Sequence, residues 1–292
     1  MIAVDIVVGA QHAVPLRGLN DDVMQRKVNR EFMEEEEFSA ESIYEALHTK
    51  LIGRTVMYSP AMPSTMDVAR EAVRNGAADG TVVITDHQTA GRGRLGRGWV
   101  SPPGINLTFS IILYPKLEHL PRLTLVSCLA IARSIEDITF LETSIKWPND
   151  VQIGGRKVSG VLVESDVAGD KVKSAIIGIA VNVNLDINLI PEIADIATSL
   201  KNEIGAPVPR LTMLAALLAE FEKVYKDMRK GELVQVEWKR RLNTLGKQVT
   251  VRCGRTVRKG IAEDVDEDGN LLLRLLDGKL EMISAGDVTL KG

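Results

Sequence analysis

The stretch Thr89–Gly104, TAGRGRLGRGWVSPPG, is the strongest constraint on how this chain can fold. Four glycines and three arginines occupy the eight positions Gly91–Gly98. TVVITDHQ (Thr81–Gln88) precedes it as a β-branched strand pattern, and INLTFSIIL (Ile105–Leu113) follows it as another. Gly91, Gly93 and Gly96 satisfy G-x-G-x-x-G, but a dinucleotide site needs a helix to start inside that fingerprint. Gly98, Pro102, Pro103 and Gly104 exclude such a helix. No G-K-[ST] closes a Walker loop either. The element is therefore strand, basic glycine-rich loop, strand. Glycines let a backbone approach a ligand closely, and arginines offer fixed forks for phosphate or carboxylate. The plainer alternative is a solvated turn, but clustered like charges cost energy unless an anion offsets them.

The 292 residues suffice for one large or two modest domains, and 45% hydrophobic with 26% charged residues is an ordinary globular balance. A net charge of -3 argues against a general nucleic-acid binder. Cys128 and Cys253 lie in different regions, which predicts small core residues in a reducing compartment rather than a disulfide. His12, His48, His87 and His119 have no ligand spacing, so no zinc site is expected. The apolar stretch LTLVSCLAIA (Leu123–Ala132) is too short to span a bilayer, and MIAVDIVVGA lacks a basic n-region. The expectation is a cytoplasmic protein.

Residues 1–38 read as an appendage, partly disordered, ending in the acidic run Glu34–Glu37. The main domain is expected over residues 39–244. Its first helix lies within Ser39–Leu51, with Ser42 and Glu45 at capping-box spacing. A short strand, TVMYS, precedes a second helix opened by Ser64 and Asp67 and closed by Gly76. Leu120–Thr139 has helical spacing. SIKWPNDVQI, KVSGVLVESDV and KSAIIGIAVNVN read as strands, and residues 185–209 as mostly irregular. Leu211–Met228 and Glu232–Leu242 are further helices. Residues 245–292 change texture, with short strands separated by DEDG and DGK, the pattern of a small β-barrel.

KWPND (Lys146–Asp150) interrupts a strand with Trp147 and Pro148, which places Asn149 and Asp150 at a bend. A lone aspartate there can serve simply as a turn residue. Downstream, Lys157 opens the next strand, so Asp150 and Lys157 could face one pocket. Such a pair suits Mg²⁺ and phosphate, since magnesium takes one or two protein carboxylates and leaves further positions to substrate oxygens.

Q-x-A-G-R-G-R-x-G-R-x-W, then SP-x-G-x-N-L, K-W-P-N-D, R-K-x-x-G-x-L-x-E, G-I-x-V-N-V-N and A-T-S-L follow one another in this order. The series resembles the biotin protein ligases, also called biotin–[acetyl-CoA carboxylase] ligases, from about Ser39 to the end. The resemblance implies an α+β fold: a mixed β-sheet with packed helices, a class II synthetase-like catalytic domain, and a small C-terminal SH3-like β-barrel. It implies that biotin and MgATP give biotinyl-5′-AMP and pyrophosphate, and that biotin then passes to one lysine of a biotin carboxyl carrier protein. The residues are suited to this: Arg92, Arg94, Arg97, Lys157 and Mg²⁺ would neutralise the meeting of carboxylate and α-phosphate, and a closing loop would shield a labile anhydride from water.

By the same resemblance, Ser64, Thr65, Gln88, Gly91, Arg92, Gly93, Arg94, Arg97 and Lys157 would bind biotin or its adenylate. Catalysis would rest on Lys157, Arg94 and Asp150. Asp150, with Asn149, would organise Mg²⁺ and phosphate. Trp99 and Asn182 are further candidates. Ser64 and Thr65 also suit a helix N-cap, Trp99 a core position and Asn182 a backbone turn. The family's Ser-Thr-Asn is here Ser64-Thr65-Met66, so Met66 stands where the family has a polar side chain. Some relatives carry an N-terminal DNA-binding domain and repress transcription; the short acidic region before Ser39 predicts a form without it and without nucleic acid as partner. Homodimerisation through a sheet edge is implied by analogy. The alternatives are a lipoate–protein ligase or octanoyl transferase of the same fold, which the arginine-glycine loop and KWPND argue against, and a biotin-responsive DNA-binding repressor, which the short acidic N-terminus opposes.

Overall fold

The computed structural model describes residues 38–96, 98–99, 102–254 and 256–290. The expected appendage, up to residue 37, and Arg97 lie outside the described residues.

Among the described residues, the larger sheet is mixed and seven-stranded: β1 (Val56–Met62), β2 (Val82–Gln88), β3 (Leu107–Leu113), β4 (Ser144–Lys146), β5 (Asp150–Ile153), β6 (Arg156–Ala168) and β7 (Lys171–Val181). The spatial order is β1-β2-β3-β7-β6-β5-β4. Only β1 and β2 run parallel; every other neighbouring pair is antiparallel. KWPND therefore splits the single strand read from the sequence into β4 and β5.

One face of this sheet meets α3 (Leu123–Thr139) and α5 (Arg210–Arg229), which form the main core with Ile84, Phe109, Ile111, Ile177 and Ile179. α3 is apolar nearly all round, as a helix buried on both sides must be. Its two fully buried serines are satisfied within the helix, Ser127 Oγ donating to the Leu123 carbonyl and Ser134 Oγ to that of Ala130, both at 2.7 Å. Among the described residues the opposite face is covered only in part, by α2 (Thr65–Arg74), which packs Met66, Ala69 and Ala72 on Val83, Ile112 and Ile176.

The uncovered remainder of that face explains the cavity. Residues directly opposite one another on neighbouring antiparallel strands share a face. Thr108, Ala180, Gly160 and Asp150 form one such rung across β3, β7, β6 and β5, and Ser110, Gly178 and Leu162 form the next. All but Leu162 are short, so the sheet carries a trough where an ordinary sheet would carry branched side chains.

α1 (Ala40–Ala46) begins one turn earlier than the Ser42–Glu45 spacing predicts. Ser39 is the N-cap, and its hydroxyl and that of Ser42 close a reciprocal capping box. At α2 the expected capping box is not made. Ser64 is the N-cap residue but its hydroxyl makes no cap bond, and Asp67 instead receives Arg70 at 2.7 Å. Within the stretch read as irregular lies the short α4 (Leu200–Ile204), capped by Ser199.

α6 (Val234–Arg241) leads into the C-terminal SH3-like domain of β8 (Gln248–Cys253), β9 (Thr256–Val265), β10 (Leu271–Leu275), β11 (Leu280–Ile283) and β12 (Asp287–Leu290), an antiparallel sheet ordered β11-β10-β9-β8-β12. Trp147 fixes it to the larger sheet: the residue is 2% exposed, its indole N–H donates to the Gly269 carbonyl at 2.9 Å, and its backbone N–H donates to Thr244 Oγ1 at 3.0 Å. Trp238 packs beside Gly269 from α6.

Candidate active site

A cavity of about 520 Å³ lies over the trough, within the size range of small-molecule sites. Its walls are the head of α2, the arginine loop, the KWPND turn, the segment from Leu185 to Ala197, and β12 of the C-terminal domain. Among the sequence-derived candidates, Thr65, Gln88, Arg92, Gly93, Arg94, Trp99, Asn149, Asp150, Lys157 and Asn182 line it.

One end is neutral and polar. Gln88 Oε1 accepts from the Thr65 backbone N–H at 2.8 Å and from Thr65 Oγ1 at 3.1 Å. Ser110 Oγ donates to Thr65 Oγ1 at 2.8 Å. Beside this relay, Ser64 Oγ is buried without a partner among the described residues, although Ser64 is not among the lining residues. Gly91 does not line the cavity either; its role is steric. A Cβ there would lie 2.5 Å from the Trp99 carbonyl oxygen and 2.8 Å from Gln88 Nε2. The absence of that Cβ lets the base of the loop close: the Trp99 N–H donates to the Gly91 carbonyl at 3.0 Å, and Arg92 bridges to Gly98.

The other end is ionic. Lys157 Nζ lies 2.7 Å from Asp150 Oδ1, and 5.5 Å from the centre of the Trp99 ring. The pairing of these two residues depends on an irregularity. Between Val151 and Gln152 the register of β5 on β6 shifts, so Asp150 faces Gly160 while Gln152 faces Lys157. One extra residue in β6 inverts the alternation of side chains and brings Lys157 to the face that carries Gly160. Gly160 then leaves room for it: a Cβ there would be 2.9 Å from Lys157 Nζ.

Arg94 completes this end. Its Nη1 donates to Asn149 Oδ1 at 2.8 Å, its Nη2 donates to the Gly286 carbonyl at 3.0 Å, and Asp287 Oδ1 stands 3.7 Å from Nη1. Arg92 instead points to α2, 2.5 Å from Asp67 Oδ1 and about two-fifths exposed. Asn182 contributes to the wall, but its Nδ2 donates to the Thr198 carbonyl at 3.0 Å, in keeping with its structural alternative. Trp99 is wall rather than core: half-buried, with its indole nitrogen lacking a partner among the described residues.

The described lining residues include no cysteine, serine or histidine. Cys128 lies beneath the sheet, where burial and then the charge of Asp150 push its thiol far up, so it is no thiolate. Among the described residues no group of three or more His, Cys, Asp or Glu could hold a metal, and no helix is long and apolar enough to cross a membrane.

Two walls escape a reading of the sequence. Leu185, Ile190, Ile193 and Ile196 give an apolar side. Isoleucines in a proline-broken segment without helix or strand pattern must bury somewhere, and that is the available signal. Asp287, Val288 and Thr289 come from the far end of the chain, and no local feature marks them. Met66 also lines the cavity, with its sulfur where a Gly178 Cβ would lie 2.8 Å away. The position that departs from the family string is thus an apolar plug packed on the sheet.

Residues 58–182 match the Biotin/lipoate A/B protein ligase family, and residues 244–291 match the Biotin protein ligase C terminal domain. The bifunctional ligase/repressor BirA of Bacillus subtilis is 35% identical over 282 residues, covering 94% of this chain and 87% of that one. The biotin–[acetyl-CoA-carboxylase] ligase of Mycobacterium tuberculosis is 33% identical, covering 76% and 83%. The biotin protein ligase of Aquifex aeolicus, solved in complex with biotin and ATP, superposes with a TM-score of 0.70 at 31% identity, covering 82% of this chain and 99% of that one. The Leishmania major enzyme, solved with biotinyl-5-AMP, gives 0.55 at 27% identity, covering 79% and 99%.

Proposed function

This chain belongs to the biotin protein ligase family, and on that premise we propose that it activates biotin with ATP and passes the biotinyl group to one lysine of a biotin carboxyl carrier protein. The observation that carries this reading is a single cavity with a neutral polar end at Thr65 and Gln88 and an ionic end at Lys157, Asp150 and Arg94. The polar end suits a cyclic urea, which both donates and accepts hydrogen bonds. Met66, Trp99 and Leu162 offer apolar surface for the rest of the bicyclic acid. Its carboxylate would then be directed toward Lys157 and Arg94. The apolar wall of Ile190, Ile193 and Ile196 suits an adenine ring.

In the first step a biotin carboxylate oxygen attacks the α-phosphorus of ATP. The bond to the bridging oxygen breaks, and pyrophosphate leaves with the electron pair. Lys157 and Arg94 offset the negative charge that this brings together, in a site that displaces water. In the second step the neutral amine of the carrier lysine attacks the acyl carbon, AMP leaves, and the amine's proton passes to solvent. Neither step requires a covalent nucleophile from the protein. The donor set fits Mg²⁺, since one carboxylate (Asp150) beside an amide oxygen (Asn149) leaves positions for phosphate oxygens. Bound there, the ion would screen the phosphates. A cytoplasmic location would fit this chemistry.

The test is pyrophosphate release from ATP and Mg²⁺ with biotin or with lipoate, followed by labelling of a carrier domain. Release with biotin alone is expected. Release with lipoate and none with biotin would overturn the reading in favour of a lipoate ligase. One observation favours a second activity: the alignment with the Bacillus subtilis ligase/repressor covers 94% of this chain. Repression would show as a biotinyl-5′-AMP-dependent shift of operator DNA.

A further inference from the structure

The arginine loop is held from the far end of the chain. Arg94 is joined to the C-terminal domain twice, through the Gly286 carbonyl at 3.0 Å and through Asp287, whose carboxylate is 3.7 Å away. The pair is largely sheltered, with the two side chains 21% and 19% exposed. The backbone that presents these groups is closely fitted. A Cβ on Gly286 would lie 2.8 Å from Val251 Cγ1, 3.0 Å from Cys253 Sγ and 3.2 Å from the Arg252 carbonyl. The preceding carbonyl, that of Ala285, accepts from Cys253 Sγ at 2.9 Å. Gly286 therefore seats the start of β12 against β8 and fixes the direction of its carbonyl, while Val288 and Thr289 reach the cavity wall.

Nη1, the nitrogen nearest Asp287, also donates to Asn149, at the bend of KWPND. Arg94 thus ties a glycine-rich stretch to two rigid ones. Holding a flexible loop in its working position before the ligand arrives lowers the entropy that binding must overcome.

We propose that Asp287, with the Gly286 carbonyl, is a positioning residue for Arg94, so that the C-terminal domain sets the place of the arginine loop at the phosphate end of the site. This rests on the ligase reading for its kinetic consequence, but its structural core does not. Asp287 itself needs to touch neither substrate.

The test uses the full chain in two assays. In the ligand-free protein, Asp287→Asn and Arg94→Ala should each speed hydrogen exchange of the backbone amides of residues 91–99, and the double variant should be no faster than Arg94→Ala alone. In pyrophosphate release, Asp287→Asn should raise KM for ATP about threefold to tenfold, as removal of one partly buried charged partner does, with kcat within about twofold. Asp287→Glu should restore most of that KM. In the Arg94→Ala background Asp287→Asn should change KM by less than about twofold, because partners in one interaction do not add. A merely structural Asp287 would act equally in both backgrounds and lower the melting temperature, and Asp287→Glu would rescue nothing; any of these results overturns the proposal. Unchanged exchange of the loop in Asp287→Asn overturns it as well. If wild type releases no pyrophosphate with biotin, the ligase reading fails, and the exchange experiment still decides the positioning role.

Discussion

Gly160→Ala should separate chemistry from stability. Gly160 lies on the rung between Asp150 and Ala180, and an added Cβ would meet Lys157 Nζ at 2.9 Å, Lys157 Cε at 3.0 Å and the Trp99 ring at 3.6 Å. Ordinary contacts between such atoms are about 3.5–4.0 Å, so the end of Lys157 must retreat by roughly 0.5–1 Å. That end is flexible, the backbone needs no positive φ, and alanine removes freedom from the unfolded chain. The fold should therefore be unchanged, or gain up to about 1 kcal/mol. The reaction should respond differently. Displacing a charged group by about 1 Å costs up to roughly 100-fold in rate, and the 2.7 Å pair with Asp150 is strained by the same movement. We expect pyrophosphate release to fall about 10- to 100-fold, with the circular-dichroism melt at or above that of wild type. Gly178→Ala is the contrast, since its Cβ would press on Met66 Sδ instead, so it should raise KM for biotin more than it lowers kcat. A Gly160→Ala enzyme within about twofold of wild type in rate, or one slowed only as far as it is unfolded, would refute the reasoning.

Lys157→Ala should slow adenylate formation about 100- to 1,000-fold with little loss of fold, and Asp150→Asn should raise the Mg²⁺ requirement; both are read from pyrophosphate release across a magnesium titration, and a near-normal Lys157→Ala rate at saturating substrates would remove Lys157 from the catalytic set. Arg94→Gly should still form the adenylate but lose it faster, labelling bystander lysines; serum albumin blotted for biotin should show more label than with wild type, and equal label with unchanged adenylate release would refute a retaining role. The Glu237 carboxyl is held below its ordinary range, first by its bond to Arg133 and then, against the opposing effect of burial, by Arg241. A carboxylate lowered in the fold contributes stability above its unfolded value and loses it as pH falls through the folded one. The melting temperature should therefore drop on acidification below about pH 4.3, and less steeply in Glu237→Gln; parallel acid curves would count against this.

The parts of the site legible in the sequence are those whose residue types are costly anywhere else. Glycines and arginines crowded between two strands demand an anion, and a Trp-Pro bend in front of Asn149 and Asp150 demands a reason. The turn alone suggests that Lys157 reaches the pocket, but its place there depends on the register shift at Val151 and Gln152, which alternation cannot reveal. A strictly alternating β6 would turn Lys157 to the opposite face. The start of the first helix is ambiguous in the sequence because Ser39 and Ser42 both suit an N-cap, and spacing alone does not say which one begins the helix. Asp287 is out of reach for a different reason: nearly two hundred residues separate it from Arg94, and only the docking of the two domains brings them together.

Trp147 gives that docking a mechanical meaning. Its ring is committed to Gly269 in the turn between β9 and β10, while two and three positions later Asn149 and Asp150 face the cavity. The three-residue turn Trp147–Asn149 thus has a foot in each domain, and a slip of one sheet on the other would reach the phosphate end of the site within two peptide units. The division of the chain near residue 244 marks a change of architecture but not a joint. Exchanging the C-terminal sheet for that of a relative would be a graft onto the active site, and should be judged by the same tolerances as a substitution inside it.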